Sequence, residues 1–442
     1  MGRGASVRSP VVLARLRGID EGRRWALAGT VLAVVVAVPM VGAGPGNDLD
    51  VANVFRSGRS IARHLSYVPS RAPGSPVHEA LVGVLDLIGG PLLTNLASVA
   101  AGVAVIVLLD RLLRREGLAP GARWAVAIVA ANPWFLIAAT GTTDYLFALA
   151  FLLASVLALR GVNPANVVPE PHPTNDSGQR FAGARPVAAG VLAALAMGCR
   201  IGTATLVAAG LVAQLVGDRP PAGTRSTGPA AGADPATGRR ATVLAGAVAA
   251  VVTVLLFVPS LVAAGGLAFA ENDFSTSSPL VQLGRAAIKD VVLLGTVGSL
   301  VALLAVPALV AALRRWRASW LVRFAALGLV LSQLLFVRFP WKVPHLLPCL
   351  LCGAILLAVA LADRPRLLAA LAVLQLLSGV VRLDLVQPDN PNEATGGRVA
   401  VSIGWGPLVT DARCRHEHPG AYLGRQKVEV EQAWDCAKPF GG

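Results

Sequence analysis

Residues 45–79 read PGNDLDVANVFRSGRSIARHLSYVPSRAPGSPVHE and form the first long polar stretch of the chain. They follow an apolar run of about 20 residues, the length that a helix needs to cross a bilayer. Two carboxylates, Asp48 and Asp50, come soon after that run, and Glu79 closes the stretch where the next apolar run begins. Ionisable groups near a membrane are costly and often functional. This stretch is therefore the first candidate for a site.

The composition is that of a membrane protein. Hydrophobic residues make up 55% of the 442 positions, charged residues only 14%, and the mean hydropathy is +0.63. These values suit a polytopic membrane protein rather than a soluble domain. The net charge of +14 comes from arginines grouped between apolar runs, where the positive-inside rule places them. We therefore expect no nucleic-acid partner. The five cysteines show no metal-binding spacing.

The apolar runs predict an all-α polytopic fold with about 11 transmembrane helices. The amino-terminal segment 1–24 is arginine-rich, and the run after it lacks a clean cleavage site, which favours a retained first span over a signal peptide. The predicted spans are residues 25–44, 80–109, 124–139, 145–159, 186–198, 201–216, 241–264, 288–313, 320–336, 343–362 and 367–381.

The charges between spans predict the orientation. Counted from the amino-terminal segment 1–24, every second segment between the spans is arginine-rich. The segments between these mix acidic and basic residues. We therefore expect a multi-pass cell-membrane protein with a cytoplasmic amino terminus, a membrane domain over residues 25–381, a first outer loop at residues 45–79, and a small extracytoplasmic tail at residues 382–442. Cys414 and Cys436 both lie in that tail, where an oxidising compartment would join them in a disulfide.

The first outer loop contains a predicted amphipathic helix on the outer leaflet. Three arginines recur every three to four residues, and three apolar residues lie on another side (Arg56, Arg59, Arg63; Val54, Phe55, Ile61). These arginines either meet lipid phosphates or are simply solvated. Asp48 and Asp50, each taken alone, are equally explained as solvated residues or as N-caps of that helix.

Further charged residues are predicted on the same face of the membrane as the two aspartates: Arg71, Glu79, Asp144, Arg200, Arg338, Lys342 and His345. Arg200 interrupts an apolar sequence, so it needs a partner or water in a cavity, unless it simply occupies a turn. The last three bracket two prolines where a span enters the membrane, and they either clamp a lipid phosphate or snorkel to the headgroups. His64 and His78 are expected at the surface.

Several motifs together resemble the GT-C membrane glycosyltransferases, with the dolichyl- or polyprenyl-phosphate-sugar-dependent mannosyltransferases as the nearest group. The resemblance covers residues 25–381. It is carried by the acidic residues after the first span, the outer helix, the segment 67–76 (YVPSRAPGSP), Asn132-Pro-Trp-Phe with Thr143-Asp144-Tyr, Gly-Cys-Arg200, and the segment 339–348 (FPWKVPHLLP).

The resemblance implies inverting transfer of a sugar from a polyprenyl-phosphate donor to a lipid or glycan acceptor of the cell envelope, at the outer face. One of Asp48 and Asp50 would be the catalytic base. Lys342, His345 and Arg200 would stabilise the departing lipid phosphate, and Arg71, Glu79, Asp144 and Arg338 would complete the substrate site. No cofactor and no metal ligands are expected, although a divalent metal requirement stays open.

Two other classes of function compete with this one. A transporter or flippase for a lipid-linked intermediate would favour internal repeats and broken helices, and the two halves show no convincing repeat. In a non-catalytic protein of cell-envelope assembly, the charges of the first outer loop would only be solvated. Convergence of the candidate residues in one place favours the enzyme.

Overall fold

The computed structural model describes residues 21–71, 73–118, 123–160, 177–216, 235–263, 278–340, 342–386, 400–418 and 436. Most of these residues are helical. The helices are α1 (Glu21–Val41), α2 (Leu49–His64), α3 (Pro76–Arg115), α4 (Trp124–Ala131), α5 (Pro133–Thr140), α6 (Tyr145–Arg160), α7 (Ser177–Cys199), α8 (Ala204–Val216), α9 (Pro235–Ala263), α10 (Pro279–Leu294), α11 (Thr296–Leu304), α12 (Val306–Leu313), α13 (Trp320–Arg338), α14 (Leu347–Ala360), α15 (Pro365–Val380) and α16 (Pro407–Glu417). Short 3-10 helices, Ile201–Thr203 and Val343–Leu346, precede α8 and α14.

The chain is a multi-pass membrane protein. By length and composition, five helices of the described residues could cross a membrane, or seven if each of two bent pairs is one span. Three shorter apolar helices, Arg185–Cys199, Ile201–Val216 and Pro365–Val380, accompany them. The expected count of about 11 spans therefore stays a prediction, as does the orientation.

Several expected spans are bent or broken. The predicted span 288–313 is interrupted at Gly295, whose φ of +72° suits glycine, and α10 meets α11 at 99°. The expected hairpin of residues 124–159 contains a break after Asn132, and α5 meets α6 at 102°. Helix α3 kinks at Gly89 and Gly90 just before a proline, which lacks an amide donor and clashes with the preceding turn.

The main core lies between α3, α4, α5, α6, α8, α13 and α14. Fully buried side chains such as Ile106, Phe135 and Phe324 fill it. Helices in a membrane gain little from leaving lipid, so close packing of small residues contributes strongly to their association. Gly58 of α2 and Gly83 of α3 show such a contact, because a Cβ on Gly83 would lie 2.1 Å from the Gly58 carbonyl oxygen. This contact fixes the outer-loop helix against the bundle.

The carboxyl-terminal region corrects the all-α expectation. Strands β1 (Val381–Val386) and β2 (Ala400–Trp405) pair antiparallel, with Val381 opposite Trp405. In β1 the sequence VRLDLV alternates apolar and charged residues, the period of a strand. Helix α16 follows and packs on α5 and α15. The predicted disulfide between Cys414 and Cys436 is confirmed, with the two Cα atoms 5.8 Å apart.

The arginine-rich loops gather at one end of the bundle. The buried Arg160 guanidinium pairs with Glu116 at 2.8 Å and lies over the ring of Trp320. Arg323 is fully buried and donates to the carbonyl oxygens of Ala213, Trp316 and Arg317. Which side of the membrane this end faces stays a prediction.

We expect the Gly83→Ala substitution to destabilise the protein by about 1–3 kcal/mol, the typical cost of overpacking, because its methyl group would collide with the backbone of α2. Gly353→Ala in α14 is the control, since a Cβ there meets nothing within 4 Å. It should be neutral or stabilising by up to about 1 kcal/mol, as a glycine removed from a helix interior usually is. Thermal unfolding in detergent measures both, and equal midpoints for the two variants would contradict the prediction.

Candidate functional site

The site begins where the first outer loop enters α2. The carboxylate of Asp48 caps this helix by accepting a hydrogen bond from the backbone N–H of Asp50 at 2.9 Å. Capping satisfies one of the free N–H groups at a helix start. Asp48 is therefore an N-cap, one of the two explanations that the sequence allowed for it. The same carboxylate also contacts a cation.

Lys342 joins both aspartates of the first outer loop. Its Nζ lies 2.6 Å from Oδ1 of Asp48 and 2.9 Å from Oδ2 of Asp50. Lys342 is in extended conformation just before the short 3-10 helix that leads into α14. Lys289 of α10 donates to the carbonyl oxygen of Pro340 at 2.8 Å and so fixes the segment that carries Lys342. Residues almost 300 positions apart thus meet through one ammonium group.

Two arginines extend this contact. Arg71 Nη1 lies 2.8 Å from Asp50 Oδ2, and Arg71 Nη2 pairs with Asp144 Oδ2. Arg200, at the turn between α7 and α8, lies 2.9 Å from Asp144 Oδ1. Arg200 thus occupies a turn, which was the alternative explanation, and it also has a carboxylate partner there. We call the result the ion-pair chain, whose members in order are Asp48, Lys342, Asp50, Arg71, Asp144 and Arg200.

The cations change the acidity of the carboxylates. Burial opposes ionisation of Asp50, but the charges of Lys342 and Arg71 outweigh it and lower the pKa of Asp50. Burial likewise opposes ionisation of Asp144, and Arg71 with Arg200 holds the pKa of Asp144 well below its usual range. Both groups are ionised at neutral pH.

The carboxylates stabilise the charged cations in return. Burial opposes the charged form of Lys342, but Asp48 and Asp50 raise the pKa of Lys342. The pKa of Arg71 is also raised, because Asp144 and Asp50 outweigh its burial. Three cations and three anions therefore balance, and the ion-pair chain is electrically neutral. This balance offsets part of the cost of removing the six groups from water.

The three carboxylates differ in the oxygens that they leave open. Among the described residues, Oδ2 of Asp48 and Oδ1 of Asp50 accept no hydrogen bond. Asp144 uses both oxygens, since Ser75 also donates to its Oδ2 at 3.0 Å. Its side chain is 3% exposed, against 18% and 27% for Asp48 and Asp50. Only the first two carboxylates are placed to accept a proton from a ligand.

Glu79 lies apart from the ion-pair chain. It is fully buried and accepts hydrogen bonds from the hydroxyl of Ser57 at 3.0 Å and from the backbone N–H groups of Ser70 and Ser75, both at 3.1 Å. Ser70 Oγ also donates to it. Glu79 thus holds the loop that carries Arg71 against α2 and α3.

The other predicted residues near Lys342 contact aromatic rings. The guanidinium of Arg338 lies over the ring of Phe339 at 5.1 Å, and the ring of His345 lies 5.8 Å from that of Tyr145. Neither residue belongs to the ion-pair chain.

Two buried aromatic side chains, those of Tyr145 and His78, were not predicted as site residues. The ring of Tyr145 lies under the Arg200 guanidinium at 4.1 Å, and its hydroxyl has no hydrogen-bond partner in the part of the chain that the structure describes. His78, expected at the surface, is instead fully buried beside Phe147, and both its ring nitrogens lack partners among the same residues. Tyr145 could have been identified from the sequence because it directly follows the candidate residue Asp144. The position of His78 in the first turn of α3 does not predict that its side chain is buried.

Within the described ranges, one group of side chains has the spacing of a metal site: Cys414, Glu417 and Cys436. The disulfide uses both sulfur atoms, so this group does not fit a metal ion. In the ion-pair chain, the ammonium group of Lys342 supplies the positive charge between the two outer-loop aspartates.

The chain has the fold of a known membrane protein. The crystal structure of ArnT from Cupriavidus metallidurans, bound to undecaprenyl phosphate, matches with a TM-score of 0.50 and 16% sequence identity over 93% of this chain and 76% of ArnT. At this sequence identity the likeness is one of fold.

A second similar structure is the archaeal oligosaccharyltransferase AglB from Archaeoglobus fulgidus, in complex with an inhibitory peptide and a dolichol-phosphate. It has a TM-score of 0.38 and 14% identity over 93% of this chain, which spans only 56% of AglB. No family model and no curated protein sequence matches the chain.

We expect Asp144→Ala to destabilise the protein by about 3–5 kcal/mol, because it leaves Arg71 and Arg200 without their shared carboxylate. Glu417→Ala is the control, since Glu417 forms a surface pair with Arg413 and should cost at most about 1 kcal/mol. Thermal unfolding at pH 7 measures the difference, and equal losses would contradict the prediction.

The same residue should make stability depend on pH. The pKa of Asp144 is lower in the folded protein than in the unfolded chain, so its stabilising effect is complete above about pH 4 and is lost as the pH falls further. Asp144→Asn should therefore flatten the acid side of the unfolding-midpoint profile.

Proposed function

We propose that this protein is an inverting glycosyltransferase that moves a sugar from a polyprenyl-phosphate donor to a lipid or glycan acceptor of the cell envelope. We place the reaction at the outer face of the cell membrane, with the amino terminus in the cytoplasm and the carboxyl terminus outside. A mannosyl donor is the first to test. The proposal includes no cofactor and no nucleic acid, and surrounding lipids are the remaining partners.

One observation carries the proposal. Lys342 contacts both Asp48 and Asp50, so a cation suited to phosphate lies beside carboxylates that keep an open oxygen. Arg71 and Arg200 add two more cations around Asp144. The fold shared with ArnT, which binds undecaprenyl phosphate in its crystal structure, supports a lipid phosphate as the ligand of these cations.

The reaction follows from this arrangement. The acceptor hydroxyl oxygen attacks the anomeric carbon of the sugar from the face opposite the phosphate, and the bond from that carbon to the phosphate oxygen breaks. Asp48 or Asp50 takes the hydroxyl proton through its open oxygen. The electron pair of the broken bond leaves with the polyprenyl phosphate, and Lys342 with the two arginines stabilises its growing charge.

Donor binding would also strengthen the base. Lys342 and Arg71 lower the pKa of Asp50, which makes it a weak proton acceptor. A phosphate that takes part of the contact with Lys342 reduces this effect, so the pKa of the freed carboxylate rises toward its usual value. The base then becomes effective when the donor is in place.

Tyr145 completes the phosphate site in this proposal. A buried tyrosine hydroxyl normally has a hydrogen-bond partner, and this one has none among the described residues. Arg200 lies over its ring. We assign its hydroxyl as a hydrogen-bond donor to the departing phosphate.

We expect Asp48→Asn and Asp50→Asn each to lower transfer, the variant that removes the base by about 100- to 10,000-fold. Asparagine caps a helix as well as aspartate does, so the first change tests the charge rather than the cap. The assay measures transfer from a panel of radiolabelled polyprenyl-phosphate sugars in membranes that contain the protein.

Asp363→Ala, in the exposed turn before α15, is the matched control and should retain wild-type transfer. Wild-type rates in both asparagine variants would remove the two aspartates from the mechanism. A wild-type protein that moves labelled lipid across the bilayer without transferring its sugar would instead favour the flippase.

We expect Tyr145→Phe to lower kcat by about tenfold, the effect of one hydrogen bond to a charged group. The substitution keeps the ring under Arg200. Ser155→Ala deletes another buried hydroxyl of α6, one that donates to the Ala189 carbonyl at 2.7 Å, and should leave kcat unchanged. Donor saturation curves separate kcat from KM, and an equal effect of the two substitutions would refute the assignment.

A further inference from the structure

Helix α16 presents a buried face to the bundle. Asp411, Cys414 and Arg415 of that face are almost fully buried, and their spacing of three to four residues places them on one side of the helix. Arg413 and Glu417 form an exposed pair elsewhere on the helix, with side chains 57% and 51% exposed. Helix α16 therefore contains two arginines that each pair with an acid four residues away, one buried and one exposed.

The buried pair contacts two loops. Arg415 Nε lies 2.8 Å from Asp411 Oδ2, and Arg415 Nη1 donates to the carbonyl oxygen of Thr140 at 2.7 Å. Asn47 Nδ2 donates to the Asp411 carbonyl oxygen at 2.9 Å and to its Oδ1 at 3.0 Å. The Thr140 carbonyl lies at the end of α5, where carbonyl groups lack helix partners and favour a cation.

These two loops carry the first and the last aspartate of the ion-pair chain. Asn47 immediately precedes Asp48, and Thr140 lies four residues before Asp144. The loops also bond to each other, since the Thr142 N–H donates to the Pro45 carbonyl oxygen at 2.8 Å. The contacts with α16 thus hold the segments that carry both aspartates.

Glycine makes room for the guanidinium. A Cβ on Gly141 would lie 3.2 Å from Arg415 Nη2, and a Cβ on Gly46 would lie 3.8 Å from it. Gly46 also has a φ of +116°, a conformation that other residues rarely adopt. Both loops therefore close around Arg415.

We propose that α16 is a positioning element of the candidate site and that Arg415 is its positioning residue. Arg415 touches no member of the ion-pair chain in the described residues; it acts by holding the backbone on which Asp48 and Asp144 are placed. A displacement of about 1 Å at such a site can cost about 100-fold in rate. The Cys414–Cys436 disulfide joins the residue before Arg415 to Cys436.

Hydrogen exchange of the full-length protein in detergent tests this inference without using any substrate. Arg415→Ala should speed amide exchange in residues 42–50 and 138–146 by about 10- to 100-fold, as loss of a charged hydrogen bond implies. Arg413→Ala is the matched control and should leave both loops unchanged. Exchange in α14 should stay at the wild-type rate in both variants.

Two outcomes would overturn the proposal. If Arg415→Ala leaves both loops as protected as in the wild type, α16 does not position them. If exchange rises equally in α14, Arg415 stabilises the whole bundle and has no specific effect on the site. Either result is independent of whether the protein transfers a sugar.

A kinetic measurement adds the functional consequence, which does rest on the proposed transfer. Arg415→Ala should lower kcat by about tenfold or more with a smaller change in KM, because misplacing the base weakens the transition state more than donor binding. Arg415→Lys should retain more activity, since its ammonium can still donate to the Thr140 carbonyl. Equal kcat values for the Arg415→Ala and Arg413→Ala variants would contradict the positioning role.

Discussion

The contact of one ammonium group with two carboxylates constrains this end of the protein. Asp48 and Asp50 would repel each other and would be costly to bury without Lys342 between them. The contact requires the first outer loop to meet the segment before α14. Arg71 forms a second ion pair with Asp50 and also pairs with Asp144. Charge neutrality therefore fixes the relative positions of loops that are distant in sequence.

Much of this site could be predicted because charged residues are scarce in an apolar chain. Each one that interrupts or borders an apolar run needs a reason, and the positive-inside rule separates the arginines of one end from those of the other. Lys342 and Arg200 are prominent on this basis. Five of the six side chains in the ion-pair chain could be predicted as site residues because they interrupt or border apolar runs. The sixth, Arg71, could be predicted because it lies in the polar stretch 45–79. Helix existence was similarly predictable from the apolar runs.

The sequence was less informative about backbone breaks and long-range contacts. Glycine is common within apolar runs, so Gly295 gave no sign that a bend of 99° occurs there. Strand β1 has the alternation of a strand, but α16 has little apolar periodicity, because its buried face contains Asp411 and Arg415 rather than leucines. Such a face is recognisable only when its partners, the Thr140 carbonyl and Asn47, are known. Polar contacts between irregular segments leave no period in the sequence.

Neutrality also limits how the proposed donor binds. An anionic phosphate at a neutral cluster must exchange partners with a carboxylate, so its electrostatic gain is the difference between two similar contacts. A phosphate that binds by replacing a carboxylate at a cation gains only a modest free energy of binding. The replaced carboxylate, however, loses its contact with that cation. The pKa of Asp50, which Lys342 and Arg71 lower, would rise as the phosphate takes part of the contact with Lys342. Proton removal from an acceptor is then coupled to donor occupancy, which would suppress reaction at an empty site.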